Sequence, residues 1–240
     1  MARPNQQVFT GAQSAEAVDA GLRSYMLRVY NYMSLGVAFT GALAFLIASN
    51  AQLVMSLSSL SLVFFIGILG IGWFAPRVIM TKSLGLAQGL YWVYAGLWGV
   101  AIAPMFFVYG QMDPMLIVRA FLITAGTFAG VSLFGYTTKR NLSAFATFFM
   151  MAAIGLIIAM LVNAFLVESS MMSLLISGAV VLLFSGVTAY ETQVIKNMYY
   201  EADSGDVMQR KAIFGAFMLY GSFITLFIHI LNILGIMRSE

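Results

Sequence analysis

Residues 144–166 read AFATFFMMAAIGLIIAMLVNAFL, an apolar run without a charged side chain. A helix needs about 20 such residues to cross the hydrocarbon core of a bilayer. The rest of the chain is similar, since 61% of its 240 residues are hydrophobic and only 9% are charged. A soluble domain has roughly 25% charged residues, because its surface must be wet. The sequence therefore predicts an integral membrane protein with the lipid bilayer as its main partner.

Six further apolar runs accompany this one along the chain. We place seven predicted spans, numbered one to seven, at 32–49, 55–74, 84–108, 115–136, 144–166, 171–194 and 212–236. Before them, residues 1–31 form a polar cytosolic tail with an amphipathic lead-in at the membrane interface, and 237–240 form a C-terminal tail. The connectors are too short to be domains. We expect an all-α fold, a seven-transmembrane-helix bundle.

The basic residues predict the orientation of the bundle. Ten of the twelve Lys and Arg residues lie in the N-terminal tail and in the second, fourth and sixth connectors. Arg119 and Arg238 alone flank the spans on the other side. Because cytoplasmic loops carry the excess of Lys and Arg, we expect the N-terminus in the cytosol and the C-terminus outside.

Composition argues against several classes of function. The chain has no Cys and a single His, His229, so thiolate metal centres, disulfides and multi-histidine metal sites are excluded within one chain. The basic residues do not cluster as nucleic-acid binding requires. There is no Gly-x-Ser-x-Gly or His-Glu-x-x-His motif. Ser222 and His229 are about 10 Å apart along one helix face, too far for a nucleophile and its base. We expect neither catalysis nor a cofactor.

Small residues recur at helix-packing spacing in two spans. Gly85 and Gly89 lie in the third span, and Gly126 and Gly130 lie in the fourth. Such pairs allow close approach of helix backbones in a membrane. Pro104 is expected to kink the third span, because proline removes one backbone donor.

Polar side chains follow one face of each of the last two spans. In a helix they fall within about a third of the circumference of the sixth span and a quarter of that of the seventh. The residues are Ser177, Ser185, Thr188, Glu191 and Thr192, and Ser222, Thr225, His229 and Asn232. The pattern fits a buried hydrophilic seam or water-filled cavity, and it equally fits ordinary hydrogen-bonded packing of two helices.

Glu191 is the one acid placed inside an apolar run. An acid within the membrane is by default a candidate for an ion or proton pathway. The alternative is an interfacial Glu near a helix end, paired with Lys196 or Lys211.

Residues 189–196, AYETQVIK, resemble the signature of the transmembrane Bax inhibitor motif family. In that family a Tyr, an acid, a Gln and an Ile-Lys pair close the sixth helix, and Tyr190, Glu191 and Gln193 match them here. Further matches are TKRNLS at 138–143 and LNILG at 231–235. The chain looks closest to the compact, YccA-like bacterial branch. The resemblance implies a bundle with the seventh helix central, in a bacterial inner membrane.

The family resemblance also implies a slow calcium leak that depends on pH. The pH sensor in that family is a pair of hydrogen-bonded acids, one on each of the last two helices. Glu191 matches the first acid, whereas Ser222 stands where the second would be, so we expect a weakened pH response. Calcium or protons are the expected permeant ions, and Glu191 is a possible weak calcium contact. The candidate pathway and pH-sensing residues are Glu191, Ser222, Tyr190, Gln193, Thr188, His229 and Asn232.

A second function stays open from the same resemblance. Bacterial relatives are associated with membrane protein quality control and the stress response. The chain would then be a non-transporting protein that binds and moderates a membrane-bound ATP-dependent protease. The polar tail, residues 1–20, would be the accessible handle for that partner.

Overall fold

The computed structural model describes residues 5–239 of the chain, and the side chains of residues 19–238. This part is helical, with short connections. The helices are α1 (Asn5–Ala48), α2 (Ala51–Ser58), α3 (Ser61–Thr81), α4 (Leu84–Met112), α5 (Pro114–Thr137), α6 (Ala146–Val162), α7 (Ser170–Asn197) and α8 (Gly205–Ser239). A 3₁₀ turn, Leu142–Phe145, leads into α6, and a π turn, Asn163–Val167, follows it.

Seven stretches of the described chain are long and apolar enough to cross a membrane, which confirms the predicted seven-helix membrane fold. They are Asp19–Ala48, Ser61–Thr81, Leu84–Met112, Pro114–Thr137, Leu142–Val167, Ser170–Asn197 and Gly205–Arg238. The remaining helix, α2, has eight residues and is too short to span. The sixth predicted span is thus α7, and the seventh is α8.

Several helices extend beyond the spans read from hydropathy. The helix that contains the first predicted span, α1, continues well before residue 32. Its buried Tyr25, Met26 and Val29 continue one apolar face past the exposed Arg23 and Arg28. A hydropathy count averages around the helix and misses such a one-sided continuation.

The second predicted span is divided, and two prolines lie inside helices. Asn50 caps α2 by accepting the backbone N–H groups of Gln52 and Leu53 at 3.0 and 3.2 Å. The long helix α3 starts only at Ser61 and runs through Pro76, which the sequence had suggested for a connector. Likewise α4 stays helical through Pro104.

The last helix, α8, lies at the centre of the bundle. It packs against α1, α3, α4, α5 and α7. In the apolar 18-residue segment of α8, 67% of the residues are buried, against 33% or less in the corresponding segments of the other six stretches. The corresponding segment of the peripheral α6 has no buried residue. The expected central position of the seventh span is therefore confirmed.

The prediction that four glycines allow close helix packing is wrong. Gly85, Gly89, Gly126 and Gly130 have open space where a Cβ would point. Spacing alone does not say which helix face meets a neighbour. The close approach occurs instead at Gly135 of α5, where a Cβ would lie 2.8 Å from the Cα of Ala189 on α7.

Polar contacts show which connections share an end of the bundle. At one end, here called the basic end, Arg210 donates to the Lys82 carbonyl at 3.0 Å, and Lys196 donates to that of Tyr136 at 2.8 Å. At the opposite end, Arg238 pairs with Asp113. The connections therefore alternate between ends as seven spans require.

Candidate functional site

Glu191 and Ser222 join α7 to α8 near the basic end. The Ser222 hydroxyl donates to Glu191 Oε2 at 2.6 Å. Ser222 is buried, and Glu191 is half-buried. α7 places Glu191 toward the central helix because the neighbouring Thr188 and Thr192 share its buried face. The carboxylate thus accepts a hydrogen bond between two membrane helices.

Neither lysine considered as a partner contacts this carboxylate. The Lys196 ammonium donates to the Tyr136 carbonyl, and that of Lys211 pairs with Asp203 Oδ2 at 2.5 Å. Across the described side chains, no Lys, Arg or His forms an ion pair with Glu191. The interfacial ion-pair alternative is therefore absent from this structure.

A second polar cluster lies on the same two helices toward the opposite end, around Ser177. Its hydroxyl lies 3.2 Å from His229 Nδ1 and accepts from the Asn232 amide at 2.9 Å. That amide also donates to Ser173 Oγ at 3.1 Å, and the Tyr109 hydroxyl donates to Asn232 Oδ1 at 3.1 Å. We call Ser173, Ser177, His229 and Asn232 the outer cluster, after the end of the bundle that the basic residues predict to face outward.

A cavity of about 430 Å³ opens beside the outer cluster, between α7, α8 and the end of α6. Asn163 shapes its rim, accepting the backbone N–H of Glu168 at its carbonyl (2.7 Å) and that of Ser169 at its side chain (3.1 Å). Glu168 has φ 51°, the left-handed conformation that ends the π turn. Among the described residues no three acids or histidines gather to hold a metal ion.

The two polar stripes do not meet along their whole length. Between Ser222 and the outer cluster, the hydroxyls of Ser185 and Thr225 donate to carbonyls of their own helices at 2.7 and 2.9 Å. Phe223 and Phe227, which lie in this interval of α8, pack instead on Phe128 of α5 and Phe106 of α4. Among the described residues no side-chain hydrogen bond joins α7 to α8 in this interval, so the Glu191–Ser222 pair and the outer cluster are separate.

Three of the predicted site residues have other contacts. The Tyr190 ring packs on Phe149, with centroids 6.2 Å apart. Gln193 holds the connection between α5 and α6, since its Oε1 accepts from Leu142 N at 2.9 Å and its amide donates to the Arg140 carbonyl at 2.8 Å. The Thr188 hydroxyl donates to the Phe184 carbonyl at 2.7 Å.

A further series of hydrogen-bonded hydroxyls connects α1 to α7 through α5, and it was not predicted from the sequence. The Tyr30 hydroxyl lies 2.6 Å from Ser132 Oγ, which lies 2.8 Å from Thr192 Oγ1. Ser132 is one hydroxyl in an apolar span, a weak signal on its own. Ser173 could have been found, because it lies four residues before Ser177 on the same helix face.

Comparison with known proteins agrees with the motif. The sequence model of the family described as "Inhibitor of apoptosis-promoting Bax1" matches residues 22–239. An uncharacterized protein of Rickettsia prowazekii is 38% identical over 235 residues, which is 97% of this chain and 98% of its own. The inner membrane protein YbhL of Escherichia coli K12 is 37% identical over 233 residues, 95% of this chain and 97% of its own. The predicted family and the inner-membrane localisation are thereby confirmed. The chain belongs to the Bax inhibitor family of integral membrane proteins.

Proposed function

We propose that this protein is a slow cation leak, with calcium as the permeant ion, and that the ion passes between α7 and α8. One observation carries the proposal: Glu191, an acid inside a span, is bound by a hydroxyl of the central helix and has no basic partner among the described side chains. An ionised carboxylate in such a place is costly without a counter-charge, which a calcium ion or a proton can supply.

The chemistry of the site suits transit rather than storage. Calcium takes six to eight oxygen ligands in stable sites. Glu191 and Ser222 supply few oxygens, and the outer cluster adds hydroxyl and amide oxygens farther along α7 and α8. An ion held this weakly can enter and leave again.

The break in polar contacts between the two clusters accounts for a slow rate. Among the described residues no side-chain hydrogen bond joins α7 to α8 between the Glu191–Ser222 pair and the outer cluster. An ion crosses only when α7 and α8 separate locally, and such motions of packed helices take microseconds or longer. The described arrangement is thus a closed state.

The proposed leak has a weak pH response. Coupled titration requires two close carboxylates that share a proton. Here the partner of Glu191 is the Ser222 hydroxyl, which carries no charge. We further propose that the protein has no enzymatic activity, since the Ser222–His229 pair of α8 lacks the spacing of a nucleophile and base.

The test is calcium uptake into dye-loaded proteoliposomes at pH 6, 7 and 8. We expect flux above empty liposomes, and Glu191→Gln should lower it about tenfold, equivalent to about 1.4 kcal/mol of lost attraction. Glu201→Gln is the matched control, because Glu201 is exposed in the α7–α8 connection. Folded wild-type protein without flux would overturn the proposal.

The alternative, moderation of a membrane-bound protease, depends on residues 1–20, most of whose side chains lie outside the described range. Deleting residues 1–18 separates the two functions. A leak survives this deletion, whereas capture of a protease through the tail does not.

A further inference from the structure

A lateral groove lies between α1 and α5 and opens toward the lipid. Its volume is about 670 Å³, its floor is Phe223 of α8, and its walls include Met33 and Val37 of α1 and Phe128 of α5. It runs from Arg23 to Ala38 on α1, about 22 Å at 1.5 Å per residue. The groove is thus a long, mainly apolar channel along α1 and α5.

A smaller cavity of about 180 Å³ continues the lateral groove toward the middle of the bundle. The two share Val37, Phe121 and Phe223, and the smaller one reaches Ile102 and Phe227. Of the hydroxyls that line the groove, those of Tyr30 and Ser132 bind one another, and that of Ser34 is on an exposed residue. The interior therefore offers a mainly hydrocarbon surface.

One mouth of the groove is basic. Arg23 lines both the groove and an adjoining polar patch on α1, which includes Ser24, Arg28 and Asn31. Lys139 and Arg140 lie exposed beyond the end of α5 on the same side. Among the described side chains, Asp19 is an acid on the same helix, and it forms no ion pair with Arg23. This mouth carries a net positive charge.

The mouth lies at the depth of lipid head groups. From Arg23 to the end of α1 at Ala48 the helix is about 39 Å long at 1.5 Å per residue, whereas the hydrocarbon core is about 30 Å thick. Arg23 therefore lies in the head-group region, and the apolar groove runs from there into the core.

We propose that the lateral groove binds an anionic phospholipid, with one acyl chain in the groove and the phosphate at Arg23 and Arg28. A protein helix does not fit, because a cylinder about 10 Å wide and 22 Å long occupies about 1,700 Å³. A single hydrocarbon chain fits a groove of about 670 Å³. The positive mouth selects an anionic head group, as juxtamembrane basic residues do elsewhere.

The proposal is tested by native mass spectrometry of the intact protein with phosphatidylglycerol or phosphatidylethanolamine. We expect one retained lipid and a preference for phosphatidylglycerol. Arg23→Gln should reduce that preference about fivefold, the effect of one basic residue near a membrane surface. Ala129→Phe, which fills the groove from α5, should reduce retention of both lipids.

Two variants serve as matched controls. Arg77→Gln removes an exposed basic residue on α3, and Ala101→Phe adds the same bulk at an exposed position of α4, both away from the groove. Both should retain lipid as wild type does, and inorganic phosphate should not displace the lipid. Equal retention in all four variants overturns the proposal. So does a lipid-free dimer that Ala129→Phe breaks, since the occupant is then a second copy.

Discussion

Glu191 and Ser222 form the contact on which the account of ion passage depends. A hydroxyl both donates and accepts hydrogen bonds but holds no charge at neutral pH. It therefore positions the Glu191 carboxylate, at 2.6 Å, without competing with a cation for it. A second acid in place of Ser222 would change the site from a single carboxyl group to a proton-sharing pair.

Ser222→Asp should therefore create a pH response. At pH 6 a shared proton holds the two carboxylates, and hence α7 and α8, together. At pH 8 both acids are ionised and repel, so the ratio of calcium flux at pH 8 to that at pH 6 should exceed the wild-type ratio.

Calcium flux in proteoliposomes measures this ratio, with Ser185→Asp as the control, because the Ser185 hydroxyl bonds within α7. An unchanged ratio in Ser222→Asp, or an equal rise in both variants, would contradict a pairing specific to residues 191 and 222.

Some of the side-chain contacts at the candidate site could be predicted from the sequence. The motif predicted Glu191 and Ser222 together, and the structure brings them into contact. Helical periodicity likewise predicted that His229 and Asn232 lie on one face. It could not show that Gln193 points to the α5–α6 connection instead, because the partner groups are backbone atoms 50 or more residues away.

At the scale of elements, the crossing of α5 and α7 depends on Gly135. The backbone of Ala189 occupies the space that a side chain at 135 would need. Gly130, five residues earlier on the same helix, faces open space. Of these two glycines on α5, Gly135 permits close packing against α7, whereas Gly130 packs against no neighbouring helix.

Gly135→Ala should destabilise the bundle, by about 1–3 kcal/mol, because backbone atoms must move apart. Gly130→Ala should cause no loss, because Ala favours the helix over Gly. The free energy of unfolding in mixed detergent–SDS micelles measures both. Equal stability of the two variants would be inconsistent with this helix crossing.

Helix identity was predictable from hydropathy, whereas helix ends were not. The seven apolar runs gave the seven spans, because lipid contact demands apolar side chains on most faces. The division at Ser59 and Leu60 separates α3 from the short helix α2, whose start Asn50 caps. The continuation of α1 before residue 32 has one buried face, which Tyr25, Met26 and Val29 form. Both are local features that an averaged hydropathy does not contain.

At the scale of the whole molecule, charge is unevenly distributed between the two ends. The basic end carries Arg77, Lys82, Lys139 and Arg140, whereas at the opposite end Arg119 and Arg238 both contact Asp113. Paired basic residues at that end leave the positive excess at the other. We therefore propose that the basic end faces the cytosol.

Reporter fusions test this orientation. A C-terminal alkaline phosphatase, active only outside the cytoplasm, should be active, because α8 ends at the outer face. Fusion of the same enzyme after residue 140, in the α5–α6 connection, should be inactive. The reverse pattern would invert the bundle.

The central claim is that ions pass between α7 and α8, and the absence of Cys from the chain permits a direct test. Calcium flux is measured in the Ser177→Cys variant before and after a charged thiol reagent is added. Residue 177 lines the cavity beside the outer cluster. Met112→Cys is the control, exposed at the end of α4 and away from that cavity. We predict that labelling lowers the flux of Ser177→Cys and leaves that of Met112→Cys unchanged. A fully labelled Ser177→Cys protein with undiminished flux would contradict the account.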